Sequence, residues 1–309
     1  VAFSAPVATK YKAVLAGIDY SAASQKWHQD AVDLRDTMLT WDNWKAGEIS
    51  LLGGQPSAAD ILTSVGSRIL KKDEFFMFYY SGHGDKSTVS ANESVPPAMD
   101  AEDDVFDTIT DSATRGRDYP NAVPDDYLAN YLKLLTAEAP KLAVLDSCYA
   151  GGFWNGRDIG DLERVQNTSL LASVPENTKS PGSSDFTKAL IEGATKSSET
   201  GIAPADADKN HQITVDEWFS YADSKVPRGL KFGEVKEKVS GGDWSENYPK
   251  SYYYDAESRS RVVFYDRTTV PADTYYWLVV LVVTGSMVLF LRMKRFGKGD
   301  PSARSGSVA

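Results

Sequence analysis

Residues 74–85 read EFFMFYYSGHGD, and residues 141–153 read KLAVLDSCYAGGF. Each is an apolar run that ends in polar residues flanked by glycines. Aromatic and branched runs of this length suit buried strands. His83 stands between Gly82 and Gly84, and Cys148 follows the second run and precedes Gly151 and Gly152. Both residues therefore fall just past the carboxyl end of a strand. If the two strands are parallel, His83 and Cys148 share one rim of the sheet, the rim on which open α/β sheets build their sites.

Working outward, residues 11–18 and 48–52 read as two further strands, 142–145 is the strand of the second run, and 169–174 is another. Between them lie helical patterns. Trp27, Ala31, Leu34 and Met38 mark one face of a helix within 22–40. Ser57 can cap a helix over 58–70, Pro124 opens one over 124–136, and 185–195 is a fourth. Strand and helix alternate, with connections too long for hairpins. The pattern predicts an α/β fold: a mainly parallel sheet with helices on both faces. Residues 85–123 read as a long irregular polar segment and 175–184 as a polar surface loop.

The chain of 309 residues has 42% apolar residues, enough to bury a sizeable core. Its net charge is −10, but residues 292–309 carry +4, leaving −14 on the rest. So acidic a body repels phosphate, which argues against a nucleic acid partner. It suits a basic substrate or a metal cation. One cysteine, Cys148, allows no internal disulfide and no Cys cluster for zinc.

A thiol beside an imidazole is what an activated sulfur nucleophile needs. His83 can take the thiol proton and later protonate a leaving amine. Backbone N–H groups near Gly84 and Cys148 can hold a developing oxyanion. Taken singly, His83 reads as well as a turn histidine and Cys148 as an inert strand-end thiol; taken together, each after an apolar strand and beside glycines, they point to catalysis. Asp146 lies two residues before Cys148, and in an extended strand the two point to the same side. A carboxylate there would recognise Arg or Lys. The alternative is an acid that caps a helix.

FYYSGHGD and LDSCYAGGF resemble the histidine and cysteine motifs of the caspase-like clan, the C14 peptidases, nearest to metacaspases and their bacterial relatives, the orthocaspases. AVLAGIDYS (13–21), HQDAVDLRDTM (28–38) and SDFTKALIEGA (184–194) follow in the family's order. The resemblance implies a three-layer caspase-like domain over 11–266, with a large-subunit-like part (11–165) and a small-subunit-like part (166–266). It also implies cysteine endoproteolysis by a Cys148–His83 dyad that requires no cofactor. Cleavage would follow Arg or Lys in protein or peptide substrates, with Asp146, Ser81 and Asp30 lining the pocket. True caspases use basic pockets, and no Arg stands in either motif here. A catalytically silent caspase-like domain, serving as a membrane-tethered binding module, is the alternative. Lys179, Arg157 and Arg164 offer sites for self-cleavage if the pocket takes basic residues.

Two acidic regions bear on calcium. Residues 100–111 hold six acids, with Asp125 and Asp126 at the next helix start. They read either as solvated surface or, by the resemblance, as calcium ligands. Asp206, Asp208, Asn210, Gln212, Thr214 and Glu217 have the spacing of an EF-hand-like calcium loop, and a helix is expected to follow from residue 217. His211 stands where such a loop normally has Gly. The alternative is a turn held by side-chain-to-backbone hydrogen bonds. His28, on the first helix, reads as a surface residue.

Residues 275–291 carry no charge over 17 positions, about 26 Å of helix. Tyr275, Tyr276 and Trp277 stand at one end and basic residues at the other. The run reads as a single transmembrane helix rather than a core helix, with 292–309 as a basic tail. The positive-inside rule then puts the C-terminus in the cytoplasm and the catalytic domain outside. Residues 1–10 read as a linker or the remnant of a signal peptide, with no complete signal visible. Val270-Pro271, the apolar run and the basic end also resemble a bacterial C-terminal sorting signal, a tail processed after export. The protein is expected to act as a monomer.

Overall fold

A computed structural model describes residues 7–19, 27–86, 104–107, 122–154, 161–176, 178–180, 184–226 and 249–266. In chain order the elements are β1 (Lys10–Gly17), α1 (Trp27–Met38), β2 (Ile49–Leu51), α2 (Ala58–Gly66), β3 (Glu74–Ser81), β4 (Gly84–Lys86), β5 (Asp104–Asp107), β6 (Ala122–Pro124), α3 (Asp125–Lys133), β7 (Lys141–Asp146), β8 (Thr168–Ala172), α4 (Asp185–Ala194), β9 (Gln212–Thr214), α5 (Val215–Lys225), β10 (Lys250–Tyr253), α6 (Ala256–Arg259) and β11 (Val262–Tyr265).

The main sheet has six strands in the order β10-β8-β7-β3-β1-β2. All neighbours are parallel except β10, which runs antiparallel to β8. Side chains alternate between two cores. Phe75, Met77 and Tyr79 of β3 face one side with Leu142 and Val144 of β7; Phe76, Phe78 and Tyr80 face the other with Ala143 and Leu145. Helices cover both sides. Ala31, Leu34 and Met38 of α1, Leu190 of α4 and Trp218 of α5 pack on the first core. Ile61 and Val65 of α2 and Leu128 and Leu132 of α3 pack on the second. Burial on both faces is why the central strands read as unbroken apolar runs.

Local chemistry sets the helix starts. Ser57 and Asp60 form a reciprocal capping box at α2, as do Thr214 and Glu217 at α5. Pro124 is the cap residue of α3 rather than its first helical residue.

Three features depart from the sequence reading. Residues 85–123 are not wholly irregular, because β4, β5 and β6 form a three-stranded antiparallel sheet. Phe106 of β5 stacks between Tyr80 and Phe153, with ring centroids 4.0 Å and 4.1 Å away, so an apolar anchor holds a mostly polar segment. A second small sheet pairs β9 with β11. His28 is half-buried rather than on the surface, and its Nδ1 is enclosed. The apolar run 275–291, the tail 292–309 and residues 1–6 lie outside the described residues. Among the described residues no helix is long and apolar enough to cross a membrane.

Candidate active site

β3 and β7 are paired in register, so Ser81 stands opposite Asp146 at their carboxyl ends. The chain beyond each strand carries His83 and Cys148. Gly82 donates its N–H to the Asp146 carbonyl at 3.2 Å. Gly84 lies against the Cys148 backbone, and a Cβ there would overlap the Cys148 carbonyl oxygen. Only glycine permits this approach. The sheet and the glycine together bring the His83 and Cys148 segments side by side. The Tyr80 hydroxyl donates to the His83 carbonyl at 2.8 Å. The His83 ring meets the Trp27 ring edge-on, 4.7 Å between centroids.

Cys148 leads into a tight turn. Tyr149 has a left-handed φ of 59°, and a short 3₁₀ turn, Ala150–Phe153, follows. A strap from the loop after β8 crosses this turn. Tyr149 N–H donates to Thr178 O at 2.8 Å, and Gly151 N–H donates to Val174 O at 3.0 Å. The Cys148 thiol donates to the Ser180 main-chain oxygen at 3.9 Å. Burial pushes the thiol pKa up; the Ser180 bond and Lys179 pull it down, and Asp85 and Asp146 push it up again. Burial thus favours the protonated thiol, the form from which a base must take the proton before sulfur attacks.

The carboxylate of Asp146 points to the face covered by α1 and α4. It accepts from Thr187 N–H at 3.0 Å and from Thr187 Oγ1 at 2.7 Å. Burial raises its pKa against these bonds. Asp30 reaches the same region from α1. Burial pushes its pKa up to about 6; a bond with Ser184 opposes this, Asp146 adds to it, Lys188 opposes it and Asp33 adds to it. Ser81 is fully buried at the strand end. The Tyr79 hydroxyl lies 2.9 Å from Thr187 Oγ1, and burial, with both carboxylates, raises its pKa. Ser81, Asp146 and Asp30 thus come together on one side of the rim, with the Asp146 carboxylate and Ser81 buried there. Thr187 is the third residue of α4, and its N–H is one of the first-turn donors without an intrahelical acceptor, so Asp146 also caps the start of α4.

Two acidic groups can hold a cation. Oxygens of Asp125, Asp126 and Asp161, all buried, lie within 4.8 Å of one another. Asp161 was not singled out in the sequence, since it comes 35 positions after Asp126, beyond α3 and β7. Of residues 100–111, only β5 is described. The second group is Asp206, Asp208 and Glu217, also within 4.8 Å. Asp206 accepts from the N–H groups of Asn210 and His211 at 3.0 and 2.9 Å. Asn210 Oδ1 accepts from Gln212 N–H at 2.7 Å. His211 adopts φ 62°, the turn that glycine would make freely. The loop keeps its shape through its own hydrogen bonds, while its three acids still converge. Thr214 and Gln212 serve the α5 cap and the β9 strand.

No protein-family model matches the chain, and no curated protein sequence matches it. A crystal structure of protein GSU0716 from Geobacter sulfurreducens is similar, at 14% identity and a TM-score of 0.54, covering 83% of this chain and 99% of that one. At that identity the likeness speaks to the fold alone.

Proposed function

We propose that the protein is a cysteine endopeptidase of the caspase and metacaspase type, with a caspase-like domain, cleaving after Arg or Lys. The observation that carries the reading is the contact of Gly84 with the Cys148 backbone, near the neighbouring Asp146 and Asp30 carboxylates. A basic P1 side chain would approach them, and its charge would offset two partly desolvated carboxylates. The P1 carbonyl carbon would then lie at the thiol. His83 would take the Cys148 proton as sulfur attacks, and the oxyanion would be held by backbone N–H groups near Gly84 and Cys148. His83 would protonate the departing amine, and water would hydrolyse the thioester by the reverse relay. No cofactor enters these steps. Calcium, at either acidic group, would act by ordering loops: Asp125 and Asp126 open the helix that follows β6. Residues 275–291 would tether the domain to a membrane, with the domain outside the cytoplasm.

The test is a panel of fluorogenic peptides, with and without calcium, on wild type and Cys148→Ala. Turnover of Arg- and Lys-P1 peptides that vanishes in the variant is expected. Equal turnover by both proteins, or none in either condition, would overturn the assignment.

A second reading, a silent binding module, draws on the strap over the thiol and on the raised thiol pKa. A chloromethyl ketone with P1 Arg decides between them, since covalent labelling of Cys148 excludes the silent module.

A further inference from the structure

Glycines flank His83, so its immediate chain neighbours carry no side chain. Trp27 is among the groups that meet its ring. Its ring meets the His83 ring at 74° with centroids 4.7 Å apart. Trp27 is 4% exposed.

Its position is unusual for its helix. Ala31, Leu34 and Met38 of α1 pack in the core on one face of the sheet, while Trp27, one turn earlier, packs in the core on the other face with Ile18 and Tyr80. The start of α1 therefore lies across the rim of the sheet, and two contacts hold it to the end of β1, while a third ties the end of β1 to β3. The Trp27 carbonyl sits over Gly17, where a Cβ would overlap it. His28 N–H donates to Asp19 Oδ1 at 3.0 Å. Ile18 N–H donates to the Ser81 carbonyl at 3.0 Å, two residues before His83. A buried indole fixed to the end of β1 is thus also fixed relative to the end of β3.

We propose that Trp27 is a positioning residue for His83: edge-on contact with the indole holds the imidazole in the plane from which it takes the Cys148 proton. The proposal rests on the dyad assigned above. Edge-on aromatic pairs favour one relative orientation, and an indole can also favour a neighbouring imidazolium. Charged groups near the dyad among the described residues include Asp85, Asp146 and Lys179, which act on Cys148, and Asp19, beside the start of α1. None of them is changed by substituting Trp27.

The experiment uses the full chain and reads alkylation of Cys148 by iodoacetamide against pH, which needs no substrate. Wild type is compared with His83→Ala, Trp27→Phe and Trp27→Leu. Loss of the neutral-pH alkylation phase in His83→Ala establishes the dyad; an unchanged profile there overturns the dyad reading itself, whatever Trp27 does. With the dyad established, Trp27→Leu is expected to slow the neutral-pH phase and kcat by about fivefold, while Trp27→Phe stays within about twofold. KM for an Arg-P1 peptide is expected to hold in both. A Trp27→Leu protein that alkylates and turns over like wild type, or that changes only KM, would overturn the proposal. Should Trp27→Leu fail to fold, the His83 ring protons of wild type decide. The chain has three histidines, so a His83→Ala spectrum assigns them. Resonances displaced by the indole ring current in wild type and less so in Trp27→Phe support the contact; random-coil positions overturn it.

Discussion

Asp30 and Asp146 bring two carboxylates from different elements, α1 and β7, close together; Asp146 raises the cost of charge on Asp30, and both raise it on Tyr79. Asp30 titrates up to about 6, chiefly because it is buried. Above that pH it is charged and, in the proposed peptidase, would attract a basic P1 side chain; below it, it is neutral. The specificity constant for Arg-P1 peptides should therefore fall as pH drops through about 6, with the change in KM rather than kcat. A pH series measured under initial-rate and saturating conditions checks this, and a fall confined to kcat would assign the limb to another group.

The same pocket should trade stability for selectivity. A carboxyl whose folded pKa lies above its unfolded value of 3.8 binds more protons folded than unfolded between the two values. Stability is then fully present below the unfolded value and is lost as pH rises towards about 6, so the charged Asp30 is a net cost at neutral pH. Asp30→Asn removes that cost. A higher melting temperature at pH 7 is expected, together with a fall of about tenfold to a hundredfold in the Arg-P1 specificity constant, the scale of a lost charged hydrogen bond. Calorimetry and peptide kinetics on one preparation read both.

Gly84 should tolerate no side chain. Gly84→Ala drives a methyl group into the Cys148 carbonyl. Either the two segments separate or the strand ends strain, at a cost of about 1–3 kcal/mol. The expected outcome is a folded, less stable protein with greatly reduced neutral-pH alkylation of Cys148. A denaturant melt separates this from global unfolding.

Self-cleavage after Lys179 should need a movement of the strap. The oxygen facing the thiol belongs to Ser180, and Ser180 is followed by Pro181, whose nitrogen makes a poor scissile partner. The Lys179–Ser180 bond must shift by one residue to be cut. Incubation with calcium should yield a slow product ending at Lys179, absent in Lys179→Ala and in Cys148→Ala, by intact mass. A product ending at Ser180 would contradict this register.

Much of this was legible in the sequence, where long signals exist. β1, β3 and β7 are buried on both faces, so their apolar runs survive any choice of register. The Asp146 carboxylate could be assigned to a face from strand alternation alone. Other features depend on distance along the chain. Asp161 joins Asp125 and Asp126 only through the fold. β10 and β11, KSYY and VVFY, have four residues each, too few for a period to emerge, and β4 to β6 reach the core through little more than Phe106 and Val123 among the described residues. The spacing of Trp27 with Ala31 and Leu34 announced a shared helix face, yet Trp27 belongs to the opposite core. Periodicity describes a helix and not where its end meets a sheet.

The strap at residues 174–176 and 178–180 belongs to the same chain as the sulfur it covers. A tethered occupant of this kind has an effective concentration set by its tether, on the order of millimolar for a short flexible one, and no dilution lowers it. If the chain is the endopeptidase proposed above, a free peptide would compete with that standing concentration before it met the thiol. Weak substrates would then look inert on uncut protein and become visible once the tether is severed, so an assay of the intact chain would measure the loop before the site beneath it.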